Sequence, residues 1–193
     1  RSQRIKEMVA NGSIGKPCLV RSAFCYHMEE KLISSGKGAR LKPEMGGGAL
    51  LDVGCYSVSV IRWLFGTEPI QVQGQAVYHP DGVDVHFAGL LRFPENGLAT
   101  FEASFVSALQ QTYTVVGSRA AIDLPHNAFI PWEKDAVYIM RDKDEEVGKE
   151  HIIPGVDEYQ LMVEHFSETV SGKTPPAFSP QDSVRNMRVL DAL

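Results

Sequence analysis

Apolar side chains recur at two different periods along this chain, and the change of period divides it into segments. Ile5, Met8 and Val9 sit at helical spacing, and Asn11-Gly12 supplies the stop. Cys18 to His27 is rich in β-branched and aromatic residues and predicts a strand. Residues 28–45 form a long polar connection carrying Ser34-Ser35-Gly36-Lys37-Gly38, and a loop of that length inside a compact domain points to function. After Gly46-Gly47-Gly48, the stretch from Ala49 to Phe65 is dense in apolar positions. It predicts a nearly buried helix, closed by Gly66.

Beyond Gly66 the period falls to two. Ile70, Val72, Gly74 and Ala76 alternate with Gln71, Gln73 and Gln75. Val83, Val85, Phe87, Gly89, Leu91 and Phe93 share one strand face, with Asp84, His86 and Arg92 on the other. Pro94-Glu95-Asn96-Gly97 reads as a hairpin turn, because Asn and Gly tolerate positive φ. Ala99, Phe101, Ala103 and Phe105 give the return strand, and further strands are predicted at 112–116, 120–124 and 136–140. Helical spacing returns over 156–171, with Met162, Val163, Phe166 and Val170 expected inward. A last helix follows, with Ser179 as cap and Pro180 at its first position. Hairpin-linked strands with one-sided alternation define the class: α+β, a predominantly antiparallel open sheet with helices packed on one face. The other face is left polar or open to a partner.

Composition narrows the function. The 193 residues carry 19 Lys+Arg against 24 Asp+Glu, a net charge of −5, which argues against a nucleic-acid partner. Three cysteines (Cys18, Cys25 and Cys55) without a Cys-x-x-Cys pair suit a reducing, cytoplasmic setting. No run of roughly 18 or more apolar residues suggests a membrane span. Helical register is already present at Ile5 and still present at Leu190, so the chain is expected to be part of something longer.

The sharpest chemistry lies in the glycine-led helix. Asp52 and Tyr56, four apart, stack on one helical face, and a carboxylate beside a phenol on an apolar helix calls for an explanation. A phenol there can exchange a proton with an alcohol or carbonyl, given a nearby cation to lower its resting pKa of about 10. The alternative is structural: Asp52 accepts from loop amides, and Tyr56 packs with its hydroxyl at the surface. No metal is expected from His79, Asp81, Asp84 and His86, which hairpin chemistry explains, or from Cys25 and His27. Gly-x-Ser-x-Gly and the Gly-x-Gly-x-x-Gly dinucleotide fingerprint are both absent. The charge run 141–146 reads as a solvated loop.

The stretch Arg40-Leu41-Lys42-Pro43-Glu44-Met45-Gly46-Gly47-Gly48-Ala49-Leu50-Leu51-Asp52-Val53-Gly54-Cys55-Tyr56 resembles the second-domain motif of Gfo/Idh/MocA-type oxidoreductases. Val9 to Pro17 is similar to that family's helix-to-strand junction, and Tyr159 to Pro176 to its late helix and link. Tyr at the later motif position leans to the branch of glucose-fructose oxidoreductase, dihydrodiol dehydrogenase and xylose dehydrogenase. The resemblance implies that residues 1–193 form the C-terminal substrate and oligomerisation domain, with an N-terminal Rossmann domain for NAD or NADP outside this chain. It implies hydride transfer on a sugar, polyol or cyclic diol, with Tyr56 as acid/base, Asp52 beside it, and Arg40 and Gly48 as substrate contacts. It further implies a catalytic lysine in the cofactor domain, a fragment inactive alone, and a homodimer or higher homo-oligomer through the open sheet face. The alternative reading is a non-catalytic oligomerisation or ligand-binding module that retains the fold.

Overall fold

Residues 1–35 and 38–193 are described by the computed structural model, so Gly36 and Lys37 of the polar connection lie outside the description. The strands are β1 (Pro17–His27), β2 (Gln71–Tyr78), β3 (Asp84–Arg92), β4 (Leu98–Ser104), β5 (Val106–Gly117), β6 (Ala120–Leu124), β7 (Ala136–Asp142) and β8 (Lys149–Ile153). They form a single sheet in the order β2-β3-β4-β1-β5-β6-β7-β8. Every neighbouring pair is antiparallel except β1 with β4. The alternation read from the sequence becomes register: Phe87 faces Ala103 and Gly89 faces Phe101, so one face carries Val85, Phe87, Leu91, Phe101 and Phe105, all buried. The opposite face presents Gln73, Leu90 and Thr100 in one row.

The helices are α1 (Ser2–Ala10), α2 (Glu30–Ser35), α3 (Cys55–Phe65), α4 (Glu158–Val170) and α5 (Pro180–Asp191), and the apolar face is covered by α3, with α1 and α5 packed against it. The central one, α3, buries Val58, Ile61 and Leu64 and fixes its pitch on the sheet through a buried Ser22–Ser57 hydroxyl pair at 2.9 Å. Gly66 ends it at φ +69°, the left-handed cap its position predicts. Ser179 caps α5 by accepting from the Asp182 amide, with Pro180 first in the helix.

Four expectations need correction. The polar connection is not structureless, since it contains α2 and two short 3₁₀ turns, Ala39–Leu41 and Pro43–Met45. Positive φ in the 94–97 turn falls on Glu95 and Asn96, not on Gly97. Within the charge run, Arg141 and Asp142 belong to β7, and Arg141 pairs with Asp123 across β6–β7 at 2.7 Å; β8 follows, unforeseen because polar Lys149 and Glu150 mask its alternation. Most consequential is α4: Met162, Val163, Phe166 and Val170 point outward and are 58–71% exposed. Helical periodicity shows that a face wants a partner; it does not say the partner lies in the same chain.

The stretch Pro43–Phe65 has the length and mean hydropathy, 1.3, to cross a membrane, although no apolar run marked it in the sequence. More than half of it is buried against the sheet, which accounts for its apolarity.

Candidate active site

The helix that carries Asp52 and Tyr56 does not begin as an α-helix. Leu50–Gly54 is a π turn, and α3 takes over at Cys55. A π turn leaves backbone carbonyls out of the normal ladder and is frequent at functional positions. The Asp52 carbonyl accepts from the Cys55 thiol at 3.5 Å.

The glycines ahead of it set what sits over the turn. The Gly48 amide donates to the Arg40 carbonyl at 2.9 Å and the Gly47 amide to the Lys42 carbonyl at 3.0 Å, so the 40–42 backbone lies across the helix start. A Cβ on Gly47 would press into the Arg40 carbonyl. Gly48 stands at φ +115°, and a Cβ there would collide with Asp84 Oδ1. That carboxylate uses the space to accept the Leu50 amide at 2.7 Å, capping the turn. Burial raises the Asp84 pKa, and hydrogen bonds from the amides of Leu50, Asp84 and Ala49 oppose the rise.

Arg40, placed this way, reaches Asp52: Nε donates to Oδ1 at 2.8 Å. The second oxygen, Oδ2, accepts from the Tyr26 hydroxyl on β1 at 3.2 Å. Asp52 is thus held by a cation and a phenol rather than by loop amides. Burial, then the charge of Asp52, push the Tyr26 phenol up to about 12, so Tyr26 is a fixed donor. Tyr26 was visible in the sequence only as a strand aromatic, and no local pattern linked it to a residue 26 positions away.

The Tyr56 ring packs on Phe24 and Phe129, with centroids 5.3 and 5.9 Å away, and Phe24 stacks on Phe129. The residue remains 45% exposed. Burial raises its pKa, Cys55, Asp52 and Tyr159 add to the rise, and Arg40 opposes it. The phenol is therefore protonated at neutral pH and serves as a donor. Alongside runs a recess of about 430 Å³, walled by Tyr56, Val60, Trp63, Tyr113, Phe129 and Phe178.

Of the four residues expected at the site from the sequence, Tyr56 borders the recess, Asp52 and Arg40 form an ion pair one helical turn before it, and Gly48 lies at the helix start with its open side filled by Asp84. No group of three or more His, Cys, Asp and Glu able to hold a metal occurs among the described residues. For a dinucleotide, the residues fit only the reacting end, where an exposed phenol borders an open recess. Among the described residues, the parallel pair β1–β4 has no glycine-rich turn leading from strand to helix of the kind that cradles phosphates.

The geometry defines an α+β domain in which a π-turned, glycine-led helix lies on an open, largely antiparallel sheet. The GFO/IDH/MocA C-terminal domain matches residues 2–123, and the chain belongs to that family. D-xylose 1-dehydrogenase (NADP(+)) 2 of Haloferax volcanii is 30% identical over 193 residues, covering all of this chain and 57% of the relative. Trans-1,2-dihydrobenzene-1,2-diol dehydrogenase of Xenopus tropicalis is 25% identical over 130 residues, 67% of this chain and 38% of its own length. Among solved structures, a 3-ketoreductase from Actinomadura kijaniata in complex with NADP and TDP-benzene superposes at TM-score 0.84. It is 20% identical and covers 100% of this chain and 57% of that one. An aldose-aldose oxidoreductase from Caulobacter crescentus superposes at 0.80 with 21% identity, covering 99% and 56% respectively. The fold expected from the sequence is the fold observed. The chain spans little more than half the length of the relatives it matches most fully.

Proposed function

We propose that this chain is the substrate half of an NADP-dependent oxidoreductase acting on the hydroxyl of a sugar or cyclic diol. The observation that carries the reading is the half-exposed Tyr56 phenol beside the Asp52–Arg40–Tyr26 array. When bound, the nicotinamide supplies a carbon that accepts or gives hydride; everything else here is done by side chains. The Tyr56 hydroxyl donates its proton to the substrate oxygen in reduction and takes it back in oxidation. Asp52, fixed at both oxygens, holds Arg40 in place, and Arg40, with its side chain 60% exposed, is free to donate to a neighbouring substrate hydroxyl. Gly48 serves the substrate by placing Arg40 rather than by touching it.

The names of the relatives support the substrate class, and the test is direct. Intact protein given NADP⁺ with aldopentoses and with cyclic diols should reduce the cofactor with at least one of them. A failure with every substrate, in protein that binds NADP⁺, would favour the non-catalytic module.

The domain arrangement is part of the proposal. Tyr159, Met162, Val163, Phe166 and Val170 form a helical stripe more than half exposed, too large an apolar surface to leave in water. We assign its cover to the cofactor domain that the family resemblance implies. Phe166→Glu in the intact protein should raise the KM for cofactor several-fold. In the 193-residue chain alone it should change stability by no more than about 0.5 kcal/mol, as exposed sites do. Equal effects in both would place the partner elsewhere.

The uncovered sheet face, with Leu90 and Leu98 among Gln73, Gln75 and Thr100, supports a homo-oligomer; a protein monomeric at every concentration in sedimentation would contradict it. Free thiols at Cys18, Cys25 and Cys55 support a cytoplasmic, reducing setting.

A further inference from the structure

One polar network lies outside the site but ends against it. Arg62, on the buried side of α3, is only 5% exposed. Its Nε and Nη2 take both oxygens of Glu68 at 2.7 Å, Nη2 also reaches Asp182 Oδ1 at 3.3 Å, and Nη1 donates to Asn186 Oδ1 at 3.2 Å. A guanidinium can only donate, so the amide oxygen of Asn186 must face it and the amide nitrogen must turn away. That nitrogen, Nδ2, donates to the carbonyl of Cys55 at 3.1 Å. Cys55 is the first residue after the π turn and precedes Tyr56.

The location matters because the π turn makes the helix phase uncertain there. A helix that widens for five residues and then tightens can resume at more than one rotation, and each rotation aims Tyr56 differently. Capture of the Cys55 carbonyl by a side chain whose orientation is dictated from the far side removes that freedom. Asn186 lies on α5, outside residues 2–123 that match the family, and a distance of 131 residues hides the link from any local pattern.

We infer that Asn186, oriented by Arg62, is a positioning residue that sets the rotation of α3 at Tyr56 through the Cys55 carbonyl. The inference rests on the reading of Tyr56 given above, and two substitutions separate positioning from simple stapling of α5 to α3. Asn186→Asp keeps an acceptor for Arg62 but replaces the donor to Cys55 with a second acceptor. Asn186→Leu removes both.

In the intact protein both variants should lower kcat about tenfold, the rate equivalent of ~1.4 kcal/mol, with KM for substrate and cofactor within about twofold. Asn186→Asp, which keeps the tie to Arg62, should do so with a higher thermal midpoint than Asn186→Leu. A second readout needs no turnover. The ring signals of Tyr56 in ¹³C-tyrosine NMR spectra of the protein, assigned by their loss in Tyr56→Phe, should move in both variants, while those of Tyr138 stay in place. Wild-type kcat and unmoved Tyr56 signals in Asn186→Asp would overturn the inference and leave a structural tie. Absence of turnover in the wild type would count against the catalytic reading alone, and the NMR comparison would still decide this one.

Discussion

Turnover by the intact protein is expected to fall by about 10²–10⁴-fold when Tyr56 is replaced by Phe, the span typical of losing a general acid/base. Phe keeps the ring contacts with Phe24 and Phe129, so the recess and the fold should survive. Cofactor affinity should be unchanged, because the phenol is asked to act on the substrate oxygen only. The pH dependence carries a sign of its own. Burial, Cys55 and Asp52 raise the phenol pKa, so the protonated donor persists to higher pH than for a free tyrosine. Within this half of the molecule, carbonyl reduction should hold its rate through neutral pH and decline only in alkali. If the cofactor half contributes a cation, as the family resemblance implies, that decline moves to lower pH. Near-wild-type kcat in Tyr56→Phe would remove the residue from the chemistry and leave the proton to another group.

The second large effect belongs to Gly48→Val. Positive φ at +115° is a glycine conformation, and forcing a β-branched residue into it costs about 1–3 kcal/mol. The new Cβ also meets Asp84, whose carboxylate must withdraw and abandon the Leu50 amide. Leaving that partly buried donor unsatisfied adds about 1–3 kcal/mol. The combined loss of roughly 2–6 kcal/mol should lower the thermal midpoint by at least about 4 °C in a domain of this size. Activity should fall further than stability, since Arg40 hangs on the Gly48 amide and Asp52 on the turn that Asp84 caps. Asp84→Asn, which keeps an acceptor at the same place, should lose less of both. A thermal midpoint for Gly48→Val within a degree of wild type would mean that the 46–48 backbone can shift to admit a side chain.

How much of this was legible in the residues varies by element. The sheet was legible because Val85, Phe87, Leu91 and Phe101 obey a strict period of two, which one buried face enforces. The ends of α3 and α5 were legible because Gly66, Ser179 and Pro180 do local chemistry. The destination of α4 was not: its stripe is a helix pattern whether it meets this sheet or another domain. Nor was the π turn, since spacing alone cannot distinguish four residues per hydrogen bond from five. Within the site, Asp52 and Tyr56 stood out by sitting on an apolar helix, and Arg40 came only with the family resemblance. Tyr26, Asp84 and Asn186 were hidden because each reaches the helix from 26 to 131 positions away through hydrogen bonds that no local pattern marks. A sequence shows where polar groups are; which of them meet is decided by the sheet order and the glycines that let strands and loops approach.

The central claim is that hydride leaves a substrate carbon for the nicotinamide while a protein phenol takes the hydroxyl proton. Its most direct measurement is the fate of a label: an aldopentose or cyclic diol carrying deuterium on the reacting carbon, turned over by the intact protein with NADP⁺, and the reduced cofactor weighed by mass spectrometry. NADPH heavier by one mass unit is expected, formed at a slowed rate from the deuterated substrate. Unlabelled NADPH, or consumption of substrate without any NADPH, would contradict it.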